Sequence, residues 1–233
     1  MTVLVLGESA DDLERWASAL PGERMVGVTG DARRPARYEQ VVQVGRYTDS
    51  TEVELAAVRI ARETPLSAIV ASGYADLLRA ACLRAYLGVP GQGREAALAC
   101  IDLISLRAVL AAADVAVVPG REVRSAADVA RHANSLGLPL RLRRRRVPDS
   151  PVAHRIDSRG QLLAVLRTTR DLSGLLAEPV LDGEPLRLPL DTELGTAVLH
   201  ALPDSAGPVA AVHALRLPDG QLLVDHLELE SFA

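Results

Sequence analysis

The sequence contains no lysine, so all 26 of its basic side chains are arginine. Aromatic residues are also scarce, with one Trp, one Phe and four Tyr, and the formal net charge is -4. Nucleic-acid binding is therefore not favoured, because few aromatic side chains are present to stack on bases and the net charge is negative. The two cysteines, Cys82 and Cys100, have no CxxC spacing. This excludes a disulfide framework and favours reduced core thiols in a cytoplasmic protein.

Long apolar runs are absent as well. No run approaches the roughly 20 residues that a membrane-spanning helix requires. Residues 1–7 are apolar but short and lack a basic leader, so we expect a first buried strand rather than a secretion signal. With 48% hydrophobic residues in 233, the chain can bury a substantial core in one or two domains. We therefore expect no membrane partner.

Strands and helices are predicted to alternate over the first 90 residues or so. This order indicates an open parallel sheet covered by helices on both faces, which is an α/β fold. The predicted strands are Val3–Leu6, Met25–Val28, Val41–Val44 and Ala68–Ala71. The predicted helices are 9–20, 51–61 and 75–86.

After the turn at Gly88–Gly91 the pattern changes to an α+β layout. Two helices are predicted first, then a helix opened by Ser125, and later a strand hairpin turning at Pro218–Gly220. The predicted strands are Val115–Val118, Leu140–Arg144, Val152–Ile156, Leu175–Val180, Leu186–Leu190, Val209–Leu217 and Gln221–Leu227, with further helices at 158–166 and 191–202.

Several short motifs follow one another along the chain, namely Gly88-Val-Pro-Gly91, Asp102 at a helix start, Val115-Ala-Val-Val-Pro119 and Gly137-Leu-Pro139. Their order resembles that of the ATP-grasp carboxylate-amine ligases, and the match runs from Val3 to about Gly183. The resemblance implies a pre-ATP-grasp domain over 1–91, followed by a shortened α+β ATP-grasp-like domain. Its first subdomain would be 92–190, and 191–233 would be the remnant of a truncated, degenerate second subdomain.

The resemblance also implies phosphate contacts, and the sequence departs from them. The first phosphate lysine corresponds to Leu103, with Arg107 one helical turn further on, and the second corresponds to Arg143. Arginine keeps the charge there but presents a planar fork rather than a point charge. The glycine-rich flap corresponds to 145–153, which contains no glycine and two prolines that cannot donate an N–H.

An adenine hinge is implied at Glu178 and Val180, with Glu184 following. Pro179 removes one N–H from this hinge. The alternative interpretation is an ordinary sheet strand that ends in a turn at Asp182-Gly183.

Magnesium ligands are implied near the C-terminal hairpin, where Glu228 is the surviving oxygen ligand and His226 is a weak second candidate. Asp225 is expected on the opposite face of its strand. Together with His213, these residues could instead bind a transition metal. The competing interpretation is a pair of partly exposed strand histidines.

Arg141 and Arg143–Arg146 form the strongest charge feature. Arg141, Arg143 and Arg145 are predicted to share one strand face. They could bind phosphate or another anion. Nucleic-acid binding is the weaker functional interpretation. The alternatives are a solvated edge strand, whose charges prevent aggregation, and pairing with an acidic surface of a partner.

Three functions remain. The preferred one is a non-catalytic binding or regulatory partner of a complete ligase or same-pathway enzyme, or of a second copy of this chain. The alternatives are an active ATP-dependent carboxylate-amine ligase with arginine replacing lysine, and a small-molecule or anion sensor. ATP and Mg²⁺ are expected only if the activity is retained. No Ser/His/Asp or Cys/His constellation indicates separate covalent chemistry, so no catalytic residue is assigned.

Overall fold

The computed structural model describes residues 1–146, 152–169, 171–202 and 209–229. The chain divides into two compact units, Met1–Ala97 and Leu98–Leu229. Helix α4 (Arg94–Ile101) spans the division. The predicted boundaries at 91 and 190 stay a prediction.

The first unit is a parallel sheet flanked by helices, and its strands lie in the order β3-β2-β1-β4. This confirms the expected parallel sheet. Its elements are β1 (Thr2–Leu6), α1 (Ala10–Ala19), β2 (Arg24–Thr29), β3 (Tyr38–Gln43), α2 (Glu52–Glu63), β4 (Ala68–Ala71) and α3 (Tyr74–Leu87), with a short 3-10 turn at Tyr47–Asp49.

Burial explains why these residues form parallel strands. All five residues of β1 are buried, as is typical of a strand that is covered on both faces. Helix α1 begins at Ser9, which forms a capping box with Asp12. Strand β3 begins at Tyr38, three residues before the predicted start, because the buried Tyr38 ring packs in the core and its hydroxyl donates to the Leu13 carbonyl at 2.7 Å.

The second unit holds two antiparallel sheets. We call β5-β8-β6-β7 the central sheet and β11-β10-β9 the hairpin sheet. Their strands are β5 (Arg121–Val123), β6 (Leu140–Arg144), β7 (Val152–Ile156), β8 (Leu175–Pro179), β9 (Glu184–Leu188), β10 (Val209–Arg216) and β11 (Leu222–Leu229). The helices are α5 (Leu103–Ala112), α6 (Ala126–Leu136), α7 (Arg159–Thr168) and α8 (Glu193–Ala201). The predicted fold class, a parallel α/β sheet followed by an α+β part, is confirmed.

One segment of the second unit is hydrogen-bonded to both of its sheets. The Val118 N–H donates to the Val224 carbonyl, and the Val224 N–H donates to the Ala116 carbonyl, each at 2.9 Å. A few residues later, β5 pairs with β8 of the central sheet. Strand β5 was not predicted, because it has three residues and two of them are charged.

The core of the central sheet lies on one of its faces. Leu140 and Leu142 point into a cluster with Val123, Val129 and Ile156. The arginines that alternate with these leucines on β6 therefore lie on the other face. In the described ranges, no helix has both the length and the hydropathy needed to span a bilayer.

Candidate functional site

Glu178 on β8 is a fully buried carboxylate with no exposed surface. Nη2 of Arg107, from α5, donates to its Oε1, and Nε of Arg141, from β6, donates to its Oε2. Arg141 and Glu178 are directly opposite each other across the two strands. Both oxygens of this candidate adenine-hinge residue are therefore held by arginines of the same chain.

Asp225 on β11 provides the second carboxylate. It accepts hydrogen bonds from Arg141 Nη2 at 3.0 Å and from Arg143 Nη1 at 2.9 and 3.0 Å, and Arg107 Nη2 lies 3.7 Å away. We call Arg107, Arg141, Arg143, Glu178 and Asp225 the ion cluster. It joins α5 and the central sheet to the hairpin sheet.

The charge state of Asp225 follows from these partners. Burial would raise the pKa of this carboxyl, but the hydrogen bond from His226 and the charges of Arg143 and Arg141 outweigh it. The pKa of Asp225 is therefore held well below its usual range, and the carboxylate stays ionised. Charged groups lose their solvation on burial, so removing one member of such a pair would leave the charge of the other uncompensated.

A β-bulge places Asp225 in the cluster. His226 is opposite His213 and Val224 is opposite Ala214, so Asp225 is the extra residue on β11. Asp225 was expected on the face of its strand opposite Glu228, and the two carboxylates do have different partners, but the bulge breaks the simple alternation next to His226. The side chains of Asp225 and His226 are hydrogen-bonded, with 3.0 Å between His226 Nδ1 and Asp225 Oδ2.

Arg145 links a second pair of carboxylates. Its Nε lies 2.7 Å from Oδ2 of Asp102, and its Nη1 donates to Glu122 on β5. Asp102 is buried and caps α5, because its Oδ1 accepts from the Ile104 and Ser105 N–H groups at 3.0 Å. This aspartate therefore fixes the start of the helix that carries Arg107.

The arginine run thus has two environments. Arg141, Arg143 and Arg145 contact carboxylates within hydrogen-bond distance. Arg144 and Arg146 are exposed, and Nε of Arg146 lies 3.8 Å from Oδ2 of Asp102. The proposal of a solvated edge strand is wrong, because β6 lies between β8 and β7. Residues 147–151 of the implied phosphate flap lie outside the described residues.

The implied adenine hinge has few free backbone donors. The Val180 N–H donates to the Pro139 carbonyl at 3.0 Å, and Pro179 has no N–H. Glu184, the last implied hinge residue, is exposed and pairs with Arg216 at 3.2 Å. The hinge positions are therefore engaged within the chain.

The metal candidates lie on the hairpin sheet. The His213 and His226 rings stack with centroids 4.2 Å apart and an interplanar angle of 12°. Arg187 donates to both oxygens of Glu228 at 2.6 and 2.8 Å, and Nε2 of His213 lies 3.0 Å from Oε2. These hydrogen bonds from Arg187 and His213 lower the pKa of Glu228 to about 2. Among the described residues, no group of three or more His, Cys, Asp and Glu side chains is arranged to hold a metal ion.

Comparisons with known proteins bear on the fold. No family model matches the chain, and no curated protein matches its sequence. Solved structures do match. They include L-amino acid ligase from Bacillus licheniformis, with a TM-score of 0.73 and 15% identity over 98% of this chain and 66% of that one. N5-carboxyaminoimidazole synthetase from Staphylococcus aureus complexed with ADP gives 0.69 and 15% over 99% of this chain and 71% of that one.

A third structure is closer in length. The RimK domain protein ATP-grasp from Sphaerobacter thermophilus gives a TM-score of 0.65 and 18% identity over 99% of this chain and 92% of that one. The chain has the ATP-grasp fold. At such identities the likeness concerns the ATP-grasp architecture alone. The chain spans about two thirds of the length of the L-amino acid ligase.

Within this ATP-grasp fold, the residues implied for Mg²⁺ do not fit that ion. Mg²⁺ needs oxygen ligands in near-octahedral geometry. Both oxygens of Glu228 are engaged by Arg187 or His213, and Asp225 is held by arginines. The remaining candidate, His226, offers nitrogen.

Sequence reasoning named Arg107, Arg143 and Glu178 but missed how they are partnered. The contacting residues are far apart in the sequence. Arg107 and Glu178 are 71 positions apart, Arg141 and Glu178 are 37 apart, and Arg143 and Asp225 are 82 apart. The available signal was the alternation of arginine with leucine on β6, which placed Arg141 and Arg143 on one face.

Proposed function

We propose that this chain is a non-catalytic protein with the ATP-grasp fold that acts as a binding or regulatory partner, related to ATP-dependent carboxylate-amine ligases. One observation carries the proposal. Arg107, Arg143 and Glu178, the residues that the resemblance assigns to the nucleotide, are bound to carboxylates or arginines of the chain itself. A nucleotide would have to break these buried pairs before it could use them.

Two further observations support the absence of phosphoryl chemistry. Leu103 occupies the position of the first phosphate lysine and is completely buried, so no charge is available there. The side chains around Glu228 do not provide the oxygen ligands that Mg²⁺ requires. Phosphoryl transfer depends on positioned positive charge and metal, so losing both leaves little to stabilise the transition state.

The partner we propose is a complete ligase, an enzyme of the same pathway, or a second copy of this chain. We propose a reducing, cytoplasmic setting, because the sequence has only two cysteines and they lack the spacing of a disulfide framework. Size-exclusion chromatography with light scattering tests the second-copy alternative. A monomer at all concentrations would leave a different protein as the partner.

Calorimetric titration with ATP, with and without Mg²⁺, tests the proposal. We expect no magnesium-dependent binding and no ADP release when amino acids are added. Tight magnesium-dependent binding with ADP release would overturn the proposal and establish the active-ligase alternative.

The same titration with inorganic phosphate addresses the anion sensor. The sensor would be favoured if the wild-type chain binds phosphate, Arg143→Ala does not, and Arg144→Ala still does. Arg144 is the matched control because it is exposed on the same strand.

A further inference from the structure

A groove of about 540 Å³ lies in the second unit beside α5. One wall is α5 and the other is the segment that joins the two sheets, with Leu136 of α6 at one side. Among the described residues, Arg143, Asp225 and Glu228 do not line it. The groove is therefore distinct from the metal candidates and from most of the ion cluster.

The walls of the groove are largely apolar. Ile104, Ala108 and Ala111 follow one another at helical spacing along α5, and Val117 and Leu136 face them. Ala108 and Ala111 are exposed and small, so they leave the groove wide. Its volume is within the range of small-molecule pockets, roughly 300–1,000 Å³.

Arg107 is one of three charged residues that line the groove, and the other two are Arg121 and Glu122. The Arg107 side chain is 8% exposed, and its Nη2 donates to Glu178. Its Nε and Nη1 have no hydrogen-bond partner among the described residues. Buried donors are nearly always satisfied, and leaving one unpaired is costly, so these two N–H groups require an explanation.

Gly120 is the wall residue next to these donors. A Cβ at this position would overlap Arg107 Nη1. Glycine in such a place permits the close approach of backbone or ligand. Nη1 is thus covered by the backbone of Gly120, which has no side chain. Gly120 itself is partly exposed.

We propose that this groove binds a small carboxylate with an apolar chain, such as a medium-chain acyl acid. The acyl chain lies along the alanine stripe of α5, and one carboxylate oxygen accepts from Arg107 as the Gly120 backbone moves outward. The carboxylate of Glu122 does not oppose the anion, because Arg145 and Arg124 neutralise it. The inference is independent of whether the chain binds ATP.

Calorimetric titration with octanoate tests the proposal, with acetate and octan-1-ol as comparison ligands. Acetate keeps the charge without the chain, and octanol keeps the chain without the charge. We expect octanoate to bind at least about tenfold more tightly than octanol, because one charge-assisted hydrogen bond contributes that factor or more. We also expect it to bind more tightly than acetate, because acetate has no acyl chain to bury against the alanine stripe. Equal binding of all three, or no octanoate binding, would overturn the proposal.

Two substitutions locate the site. Ala108→Trp fills the groove and should abolish octanoate binding, while Ala112→Trp should leave it unchanged. Ala112 is the matched control because it is exposed on the same helix and does not line the groove. If both variants bind octanoate as the wild type does, the ligand lies elsewhere and the inference fails.

Arg107→Gln tests the polar contact. We expect octanoate affinity to fall about tenfold and octanol affinity to stay the same. Unchanged octanoate affinity would remove Arg107 from the site and overturn the proposal. Should this variant not fold, the Ala108→Trp and Ala112→Trp pair still decides.

Discussion

The two units bury different kinds of side chain. Among the described residues of the first unit, Asp76 is the buried charged group, and the sheet core is apolar. In the described part of the second unit, four charged groups are buried, namely Asp102, Arg107, Arg143 and Glu178. Apolar burial is non-directional and tolerates small changes in shape, whereas a buried charge needs a specific partner. We therefore expect the second unit to be the more sensitive to a single change of charge.

The buried carboxylates also respond to pH in opposite directions. Burial is the largest influence on Asp76 and raises its pKa, in spite of the hydrogen bond from Arg79. Because its pKa is raised in the folded state, Asp76 stabilises the folded protein at pH values below its usual pKa of 3.8. This contribution is lost as the pH rises through the raised pKa. The lowered pKa of Asp225 does the reverse, since its contribution is present above 3.8 and is lost on acidification.

Glu178→Gln is the substitution with the largest expected effect. It keeps the shape of the side chain but removes the carboxylate that Arg107 and Arg141 share, so that Asp225 is the one carboxylate of the ion cluster left near them. We expect a loss of about 3–5 kcal/mol in the free energy of unfolding of the second unit. Hydrogen exchange resolved by peptide should show faster exchange in β6 and β8 and little change in β1.

Glu184→Gln is the control for this experiment. Glu184 is exposed and its partner Arg216 is also exposed, so the change should be within about 0.5 kcal/mol. Equal effects of the two substitutions would show that the buried pairs contribute little to the second unit.

Leu4→Ala makes the corresponding change in the first unit. Leu4 has no exposed surface and lies at the centre of β1, so we expect a loss of about 3 kcal/mol from transfer and cavity terms. Denaturant unfolding followed by the fluorescence of Trp16, the single tryptophan, reports on this unit. Leu55→Ala, at a side chain that is 54% exposed, should change the midpoint little. A small effect of Leu4→Ala would contradict an apolar origin of the stability of this unit.

Gly120→Ala tests the packing around Arg107. The added methyl group would overlap Nη1, so we expect a loss of about 1–3 kcal/mol. In a double-mutant cycle with Arg107→Ala, the two losses should be clearly less than additive, because the second substitution removes the overlap. Additive losses, measured by denaturant unfolding, would indicate a backbone effect at Gly120 instead.

Arg187→Gln is expected to have the smallest effect on stability, below about 1 kcal/mol, because Arg187 is exposed. Its effect on Glu228 should be clear, since the pKa of about 2 should move toward the ordinary 4.5. In the wild type, the contribution of Glu228 is present above 4.5 and is lost as pH falls through about 2.

The Glu228 measurement is an NMR titration of the side-chain carboxyl carbon. Arg216→Gln on the neighbouring strand is the matched control, because Arg216 pairs with Glu184 rather than Glu228. An unchanged pKa of Glu228 in Arg187→Gln would assign the shift to His213 instead.

Sequence patterns predicted the elements that have strong local signals. Ala68–Ala71, Leu140–Arg144 and Val152–Ile156 have the predicted bounds, because apolar residues and turn signals delimit them. β5 was missed because it is stabilised by pairing with β8 rather than by its own composition. The start of β3 depended on a core contact of Tyr38 that no local pattern contains.

The candidate site was predictable as a set of positions but not as an arrangement. The alternation on β6 gave the shared face of Arg141 and Arg143. Whether that face meets an anion or internal carboxylates depends on residues such as Asp225, whose orientation is set by a bulge. Strand alternation, applied without knowledge of the pairing register, therefore did not predict the contact between Asp225 and His226.

The segment shared by the two sheets of the second unit also limits how far they can part. Val118 is fixed to β11 and Arg121 begins the strand paired with β8, with Pro119 and Gly120 between them. Three peptide links reach at most about 11 Å when fully extended. At this edge the two sheets cannot be separated beyond that reach unless hydrogen bonds to β11 or to β8 break first.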